Sequence, residues 1–335
     1  MVHRIVINGF GRIGRMVLRA LVESGREDLK VVAINDLAPV SRLGHLLKYD
    51  SIHGPFPKAI EIDAQTMTVD EHPIKVFSES DPENLPWADL NIDIVMECTG
   101  FFLTQDLAGK HIKAGAKRVL ISAPAKDATK TIVYGVNHSE IDSTDIIVSN
   151  ASCTTNALAP LLKVLDDKFG VENGMMTTIH AYTGDQPTHD SNHKDPYRGR
   201  AASLSMIPTS TGAAKAIGKV LPHLEGKMSG VAVRVPVANV SMVDLSVTTK
   251  KRACVEDIRK AFKQESASNF QNVLGYIDEA LVSCDLNHNS HSSNFVEDQT
   301  FVQGGHLVRV MSWYDNEWGF SNRMLDTASI MSKFL

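Results

Sequence analysis

The chain has 335 residues, 43% of them hydrophobic and 22% charged, which is ordinary for a globular protein and long enough for two domains. Its 34 basic and 39 acidic residues leave a net charge of −5, so charge indicates neither a nucleic-acid nor a membrane partner. No signal-peptide architecture and no apolar run of membrane-spanning length is present. Four widely spaced cysteines without a C-x-x-C pair indicate free thiols, so we expect a cytoplasmic protein.

The first 36 residues have the pattern of a strand, a helix and a second strand. Residues 4 to 8 form a short β-branched run, apolar residues then recur at helical spacing to about residue 25, and residues 30 to 34 form the next apolar run. A glycine-rich turn, G-x-G-x-x-G, joins the first strand to the helix at residues 9 to 14. An acidic residue, Asp36, follows the second strand. This order predicts a βαβ unit that binds a dinucleotide.

Three glycines and one carboxylate carry the dinucleotide prediction. Gly9 permits a tight turn, Gly11 lets the backbone approach a pyrophosphate, and Gly14 lets the helix pack on the strand. Asp36 lies 36 − 14 = 22 residues after the last glycine, where a carboxylate can accept both hydroxyls of an adenosine ribose and repel a 2′-phosphate. A G-x-G-x-x-G alone is weak evidence, because the alternative is an ordinary turn without a ligand. The flanking elements and the acid favour a dinucleotide site with NAD as cofactor.

Three further apolar runs predict strands of the same sheet. Their near-continuous hydrophobicity is typical of parallel strands buried on both faces. They cover residues 92 to 97, 118 to 122 and 131 to 135. Because such a sheet binds ligands beyond the carboxyl ends of its strands, we expect Thr99 and Ser122 on the cofactor side. The fold class is therefore α/β, with an N-terminal Rossmann dinucleotide-binding domain over residues 1 to 151.

One cysteine lies at a predicted turn between a strand and a helix. Residues 145 to 148 form a β-branched run and leucines recur at helical spacing after residue 157, which places Cys153 near a helix N-terminus. Unpaired N–H groups and the helix dipole favour an anion there, so we expect this thiol to ionise more readily than free cysteine and to act as a nucleophile. The hydroxyls of Ser152 and Thr154 could hold a small anion beside it. The alternative is a buried structural cysteine.

After this turn the pattern changes to long strands and few helices. Strands are predicted at residues 174 to 180, 229 to 236, 240 to 249, 280 to 286 and 306 to 313, and helices at about 209 to 220 and 255 to 268. We therefore expect a C-terminal α+β catalytic domain with a mixed or antiparallel sheet over residues 152 to 316. A helix at about 317 to 335 is expected to pack back on the first domain. The polar segment from 181 to 206 is a long loop, of a kind that is usually functional or disordered.

Two charged or titratable residues of this half are candidates for chemistry. His180 ends an apolar strand, where it could take the proton of Cys153, although a hydrogen-bonded structural histidine is the ordinary alternative. Arg234 lies between valines, so either a carboxylate or a ligand anion should meet it. The hydroxyl-rich segment at 209 to 212 precedes a helix and could bind a phosphate or simply cap that helix. We expect no metal site, because His288 and His291 lack a third ligand at a recognisable spacing.

Nine short motifs are spread along the chain. Those of the first half are I-N-G-F-G-R-I-G at 7 to 14, N-D-L at 35 to 37, Y-D-S-x-H-G at 49 to 54 and E-C-T-G at 97 to 100. Those of the second half are S-N-A-S-C-T-T-N at 149 to 156, T-T-I-H-A-Y-T-G-D-Q at 177 to 186, P-T-S-T-G-A-A-K at 208 to 215, R-V-P at 234 to 236 and S-W-Y-D-N-E-W-G at 312 to 319. Together they resemble the phosphorylating glyceraldehyde-3-phosphate dehydrogenases of bacteria, over essentially the whole chain.

The resemblance implies a role for individual residues. It implies Cys153 as the nucleophile and His180 as the general base and later acid. For the cofactor it implies Asp36 at the adenosine ribose, Arg12 and Ile13 at the pyrophosphate, and Asn316 at the nicotinamide amide. Thr183, Asp185 and Arg234 match the family's site for the substrate phosphate, and Ser152, Thr154, Thr211 and Gly212 match its site for inorganic phosphate. Arg198 joins this substrate-binding set, and matches an arginine on a loop that the family packs at a subunit interface of its tetramer.

The implied reaction oxidises D-glyceraldehyde 3-phosphate with NAD and inorganic phosphate to 1,3-bisphosphoglycerate through a Cys153 thioester, a step of glycolysis and gluconeogenesis. The alternative within the family is erythrose-4-phosphate dehydrogenase, which shares the cysteine motif and a phenylalanine like Phe320. That enzyme tends to lack the T-G-D-Q and S-T-G-A-A loops, which this chain retains. Ser191 and Asn192 differ from the Leu-Pro often seen in strict NAD enzymes, which leaves some NADP use open. A non-catalytic nucleotide- or RNA-binding protein would need neither Cys153 nor His180.

Overall fold

The structure is a computed structural model that describes residues 2–335. Its contacts divide the chain into two compact units. The first unit comprises the chain up to Tyr134, His138–Ala151 and Ser321–Leu335. The second unit comprises Gly135–Asn137 and Ser152–Phe320.

The first unit contains a sheet of nine strands and three helices that lie wholly within it, within the described chain. The strands are β1 (His3–Asn8), β2 (Leu29–Asn35), β3 (Ile60–Asp63), β4 (Thr66–Val69), β5 (His72–Phe77), β6 (Ile94–Glu97), β7 (Arg118–Ile121), β8 (Lys130–Thr131) and β9 (Ile147–Ser149). The helices are α1 (Arg12–Glu23), α2 (Val40–Lys48) and α3 (Gln105–Lys113).

The sheet of this unit is parallel except at one edge. Its strand order is β3-β4-β5-β2-β1-β6-β7-β9-β8, and only the β3–β4 and β4–β5 pairs are antiparallel. The predicted parallel sheet is therefore confirmed, because β1, β2, β6, β7 and β9 pair in parallel with their neighbours in the sheet. Their carboxyl ends bring three predicted cofactor residues to one edge, since Gly9 follows β1, Asp36 follows β2 and Thr99 lies just after β6.

One strand prediction in this unit is too long. The apolar run at 131 to 135 predicts a full strand, but only Lys130 and Thr131 pair with β9. Ile132 and Val133 are buried without belonging to the ladder, and Gly135 has φ +88°, so the chain turns away. The apolar composition of this segment therefore reflects its burial and not strand pairing.

The second unit contains a sheet of eight strands, again among the described residues. The strands are β10 (Val171–Ala181), β11 (Ile207–Ser210), β12 (Met228–Val235), β13 (Ser241–Thr249), β14 (Leu274–Ile277), β15 (Ser293–Val296), β16 (Phe301–Gln303) and β17 (Leu307–Tyr314). The helices are α4 (Cys153–Phe169), α5 (Ala213–Val220) and α6 (Val255–Ser266), and α7 (Trp318–Ser332) begins here and continues in the first unit.

This second sheet is mixed, as the sequence predicts. β10 pairs in parallel with β12 and antiparallel with β13, and β13 pairs antiparallel with β17. Side chains alternate strictly along β13, so that one face of the strand is buried and the other partly exposed. The buried face of β10 carries Thr178 and His180, which are two residues apart and so point the same way.

One predicted element of the second unit is wrong, and another begins later than predicted. Residues 280 to 286 form no strand, because the Asp285 carboxylate accepts the N–H of Val282 and turns the chain into a short 3-10 helix at Ser283–Leu286. The true strands of this region are the neighbouring β14 and β15. The helix predicted from residue 209 begins only at Ala213, because the preceding residues pair with β12 as the edge strand β11.

Candidate active site

A cleft of about 390 Å³ opens at the carboxyl edge of the first sheet. It is lined by Asn8, Gly9, Gly11, Asn35, Asp36, Leu37, Glu79, Ser80, Pro82, Cys98, Thr99, Phe101 and Phe102. Four predicted cofactor residues, Gly9, Gly11, Asp36 and Thr99, thus share one cleft. Its lining combines aromatic and apolar side chains with polar groups that can orient a ligand.

The three glycines of the loop differ in what surrounds them. Gly9 has φ +88°, and a Cβ there would lie 2.7 Å from the backbone nitrogen of Thr99. A Cβ on Gly14 would collide with the carbonyl oxygen of Gly9 and lie 2.9 Å from Ile7 Cγ2. Gly11 has no atom within 4 Å of such a Cβ among the described residues, so its backbone faces open space. The loop therefore has tight packing on both sides of one open position, which suits a bound pyrophosphate.

Asp36 closes the loop from the neighbouring strand. Its carboxylate accepts the N–H of Phe10 at 2.7 Å and that of Ala38 at 2.9 Å. These bonds hold the carboxylate at the cleft, where a ribose would meet it.

Three other predicted cofactor residues of the first unit, Arg12, Ile13 and Ser122, do not line this cleft. Arg12 and Ile13 open α1, and the Arg12 guanidinium pairs with Asp50, whose pKa falls to about 2, since the hydrogen bonds to its carboxylate outweigh burial. Their backbone N–H groups belong to the first helical turn, which suits a pyrophosphate. Ser122 directly follows β7.

The second unit brings Cys153 and His180 together. Ala151, with φ +58°, turns the chain before α4, and Cys153 is the first residue of that helix. Ser152 caps the helix by accepting the N–H of Thr155 at 3.0 Å. Sγ of Cys153 lies 3.6 Å from Nε2 of His180, within reach of a hydrogen bond from a thiol. The predicted nucleophile and base are thus in contact.

The tautomer of His180 follows from its other nitrogen. Nδ1 lies 2.6 Å from the carbonyl oxygen of Ala181, which can only accept, and 2.9 Å from Nη1 of Arg234, which can only donate. The shorter contact assigns the proton to Nδ1, because Nη1 has the Ala181 and Thr183 oxygens as acceptors. Nε2 then has a free lone pair directed at the thiol. The ring is 4% exposed, and burial together with the Arg234 cation lowers the pKa of His180 to about 3. His180 is therefore a neutral base at neutral pH.

The ionisation of Cys153 differs from the sequence-based expectation. Burial raises the pKa of the Cys153 thiol, and Arg234 together with Thr154 offsets this only in part. The direction of this pKa shift is therefore opposite to the expectation of a thiol that ionises more readily than free cysteine, because desolvation outweighs the favourable charges and hydrogen bonds around the sulfur. The resting pair is a neutral thiol beside a neutral imidazole.

Arg234 is held without a carboxylate partner in the described part of the chain. Nη1 donates to the carbonyl oxygen of Ala181 at 2.9 Å and lies 3.4 Å from Thr183 Oγ1, while Nε is buried without a hydrogen-bond partner. Of the two alternatives that the sequence offers for this arginine, a ligand anion is the one that fits. Thr183, the predicted companion of Arg234, lies beside it.

A second arginine is tied to the loop at 181 to 206. Arg198 donates to Asp185 at 3.0 Å and to Thr209 Oγ1 at 3.0 Å. His193 also pairs with Asp185, so this carboxylate serves to hold the loop. Asp185 and Arg198 thus form one cluster, to which Thr183 and Arg234 are not directly bonded.

The predicted phosphate residues on the two helix N-termini are partly engaged in local hydrogen bonds. Thr154 shares a 3.0 Å hydrogen bond with the hydroxyl of Tyr314. Thr211 Oγ1 accepts the N–H of Ala213 at 3.2 Å at the start of α5. Gly212 has open space where a Cβ would be, within the described chain. An anion there would meet backbone N–H groups more readily than hydroxyls.

Three polar residues that the sequence analysis does not single out support this centre. The buried Tyr314 hydroxyl is held between Thr154 and Thr178, and its ring packs edge-on against His180. Ser241 accepts the N–H of Ala181 at 3.0 Å and donates to Asn316 Oδ1 at 2.8 Å, which fixes the Asn316 amide. Thr178 could have been found from its i, i+2 spacing to His180, and Tyr314 from its motif.

Two further properties concern the whole described chain. Among residues 2–335, no group of three or more His, Cys, Asp and Glu residues is placed to hold a metal ion. No helix in the same range is long and apolar enough to cross a membrane.

A dinucleotide cleft on a parallel sheet, together with a cysteine and a histidine in contact in the second unit, fits the class of NAD-dependent dehydrogenases. Profile comparisons match residues 3–105 to "Glyceraldehyde 3-phosphate dehydrogenase, NAD binding domain" and residues 152–316 to "Glyceraldehyde 3-phosphate dehydrogenase, C-terminal domain". The chain belongs to the glyceraldehyde 3-phosphate dehydrogenase family.

Relatives named glyceraldehyde-3-phosphate dehydrogenase match over the full length. The protein of Xanthobacter flavus is 56% identical over 330 residues, 98% of each chain. That of Cereibacter sphaeroides is 56% identical over 335 residues, 100% of each chain, and that of Pseudomonas aeruginosa is 54% identical over 329 residues, 98% of each chain.

Proposed function

We propose that this chain oxidises D-glyceraldehyde 3-phosphate with NAD and inorganic phosphate to 1,3-bisphosphoglycerate. The observation that carries the proposal is the 3.6 Å contact between Cys153 Sγ and the unprotonated Nε2 of His180. An unpartnered arginine nitrogen beside this pair adds a place for a phosphate. Relatives that carry this name match the whole chain.

Cys153 and His180 carry the covalent step. Nε2 of His180 takes the thiol proton while Sγ attacks the aldehyde carbon, so that a C–S bond forms and the carbonyl electrons move to oxygen. The backbone N–H of Cys153 and the protonated imidazole stabilise that oxyanion. The raised pKa of the thiol fits this order, because the proton leaves as the bond forms and a free thiolate is not required beforehand.

The second half of the reaction converts the adduct to the product. The protonated His180 first returns its proton to the oxyanion, which gives the hemithioacetal hydroxyl. It then takes this proton back as the C–H bond breaks and hydride leaves, so that a thioester remains on Cys153. Bound NAD supplies the hydride acceptor for this oxidation. An oxygen of inorganic phosphate then attacks the thioester carbon, the C–S bond breaks, and the acyl phosphate leaves.

The predicted binding residues have these roles in the proposal. The NAD site of residues 1–151 is formed by Gly9, Gly11, Gly14, Arg12, Ile13, Asp36, Thr99 and Ser122. Asn316 holds the nicotinamide amide. Thr183, Asp185, Arg198 and Arg234 serve the substrate phosphate, and Ser152, Thr154, Thr211 and Gly212 serve inorganic phosphate. Residues 152–316 form the catalytic domain, and the C-terminal helix belongs with the NAD-binding domain.

We further propose a cytoplasmic homotetramer. The four cysteines are unpaired, which suits a reducing compartment. The open face of the second sheet carries Met175, 61% exposed, and Val231, 50% exposed, on neighbouring strands. Apolar side chains on a sheet face of this kind suit a contact with another copy.

The test is the absorbance at 340 nm with NAD and glyceraldehyde 3-phosphate, with and without phosphate or arsenate. We expect anion-dependent NADH formation that Cys153→Ser lowers by more than about a thousandfold, since the nucleophile is removed. Cys284→Ser is the matched control, because Cys284 is an exposed thiol far along the chain, and it should retain activity. Faster, phosphate-indifferent oxidation of erythrose 4-phosphate would contradict the substrate assignment.

A further inference from the structure

A buried carboxylate lies directly beneath the NAD cleft and has no part in the proposed reaction. Glu97, at the end of β6, is 0% exposed. It has no lysine or arginine partner among the described residues, and its buried neighbours are hydrogen-bond donors. Burying a carboxylate is costly unless it is fully hydrogen-bonded, so its retention here calls for a physical reason.

The first oxygen of Glu97 holds the turn that lines the cleft. Oε1 accepts the backbone N–H of Thr99 at 2.8 Å and also its hydroxyl proton. Thr99 Oγ1 in turn accepts the N–H of Phe101 at 3.1 Å. Thr99 and Phe101 both line the cleft, and the Thr99 backbone is the part that would contact a side chain at Gly9. Glu97 thereby sets the spacing between this turn and the glycine loop.

The second oxygen holds the opposite part of the lining. Oε2 accepts from Asn8 Nδ2 at 2.6 Å, and Asn8 Oδ1 accepts from Asn35 Nδ2 at 2.7 Å. Asn35 is in turn bonded to the backbone of Glu79 through both its amide nitrogen and its amide oxygen. These three residues also line the cleft. One buried carboxylate is therefore bonded to both sides of it.

His111 and Trp87 fix this carboxylate from below. The indole Nε1 of Trp87 can only donate, and it lies 3.0 Å from Nδ1 of His111. Nδ1 therefore accepts, and Nε2 carries the proton that it donates to Glu97 Oε2 at 3.1 Å. Both side chains are 0% exposed. Neither touches the cleft through a polar atom, so they act on it through Glu97.

We propose that Glu97, oriented by His111 and Trp87, is a positioning residue for NAD binding. The proposal deepens the function proposed above and rests on it. A carboxylate is required because Thr99, Asn8 and His111 all donate, and an amide in its place would direct its own N–H groups against one of them. Loss of the carboxylate should let both sides of the cleft relax. We therefore expect weaker binding of NAD and unchanged chemistry at Cys153.

The experiment compares Glu97→Gln, Trp87→Phe and Thr327→Val in the full-length protein. NAD affinity is measured by isothermal titration calorimetry, steady-state kinetics give kcat and both KM values, and thermal melts give stability. Thr327→Val is the matched control, because it removes a buried 2.7 Å hydrogen bond to Asn150 in the same unit away from the cleft. A purely structural role predicts that NAD affinity follows stability alike in all three variants.

We expect Glu97→Gln to lower the affinity for NAD about tenfold, since hydrogen bonds to a charged acceptor are lost. Trp87→Phe should lower this affinity to a smaller degree. The KM for NAD should rise while kcat and the KM for glyceraldehyde 3-phosphate stay near wild type. Should Glu97→Gln fail to fold, Trp87→Phe against Thr327→Val decides the question. Unchanged NAD affinity in both cleft variants overturns the proposal alone, whereas a wild type that does not bind NAD overturns the proposed function as well.

Discussion

His180 combines burial, a neighbouring cation and a fixed tautomer in one ring. Each has a separate origin: β10 carries the ring to the buried face, Arg234 on β12 pairs in register with it, and Ala181 binds Nδ1. The sequence identifies the residue from its position at the end of an apolar strand. It does not give the direction of the pKa shift, because desolvation depends on what packs around the ring. For the same reason the ionisation of Cys153 was predicted in the wrong direction.

The lowered pKa of His180 predicts a pH-dependent stability. The unfolded chain binds a proton at this ring below about pH 6.5, whereas in the folded protein the pKa is about 3. Between these values the unfolded state holds more protons, so the free energy of unfolding falls as pH decreases. Each pKa unit of difference corresponds to about 1.4 kcal/mol. His180→Asn should therefore lose stability less steeply than wild type from pH 6.5 to 4.5.

The measurement is urea unfolding of both proteins at pH 7.5, 6.0 and 5.0. Because the carboxylates titrate alike in the two proteins, their contribution cancels in the difference between them. That difference should be constant above the ordinary histidine range and should shift in favour of His180→Asn below it. A difference independent of pH would show that the folded protein protonates this ring as readily as the unfolded chain does.

At the scale of elements, local patterns predict most of what positions the site. The strands β1, β2, β6 and β7, the helix α1 and the turn before α4 all follow from apolar periodicity and glycine placement. Apolar periodicity does not predict the strands between residues 60 and 77, because β3 to β5 are short edge strands rich in exposed polar residues. For residues 280 to 286 the apolar pattern predicts a strand that does not form, since the Asp285 side chain competes with strand pairing.

The glycine loop allows an element-scale prediction with two opposite outcomes. Gly14→Ala should lower stability by about 1–3 kcal/mol, because the added methyl collides with the Gly9 carbonyl and pushes α1 from β1. Gly11→Ala should change stability by less than about 0.5 kcal/mol, since no described atom lies near the added methyl. Gly11→Ala should instead weaken NAD binding, because the added methyl group occupies the space open to the ligand.

Thermal melts and NAD titration of the two variants test this pair. Each variant serves as the control for the other, because both add one methyl group to the same loop. If Gly11→Ala binds NAD as wild type does, the open position is not where the pyrophosphate lies. Equal loss of stability in both would mean that the loop adapts as a whole.

At the scale of the whole molecule, the second sheet presents two unlike faces. Met176, Thr178 and His180 of β10 are inward, and Met175, Thr177 and Ile179 alternate with them on the other face. Thr177 pairs with Val231 on β12 and Met175 with Ser246 on β13, so the open face is continuous across the central strands. This alternation can be predicted from the sequence. The molecule that covers the open face cannot, because one sequence does not specify what contacts its surface.

If a second copy covers this face, one charge should disrupt the assembly. Met175→Lys places an ammonium group on the central strand of the open face, and Val282→Lys is its control, because the two side chains are 61% and 58% exposed. Light scattering after size exclusion should give a tetramer for wild type and Val282→Lys. Met175→Lys should give dimers, since a tetramer of two-fold contacts that loses one kind of contact falls into halves.

The two exposures are so similar that ordinary solubility effects of the added lysine should be equal in the two variants. A change in mass confined to Met175→Lys therefore depends on the position of the charge, and the buried charge is costly only where a partner excludes water. A tetramer that persists in Met175→Lys would place the subunit contacts on another surface. A wild type that is monomeric would leave the open face to solvent and overturn the homotetramer itself.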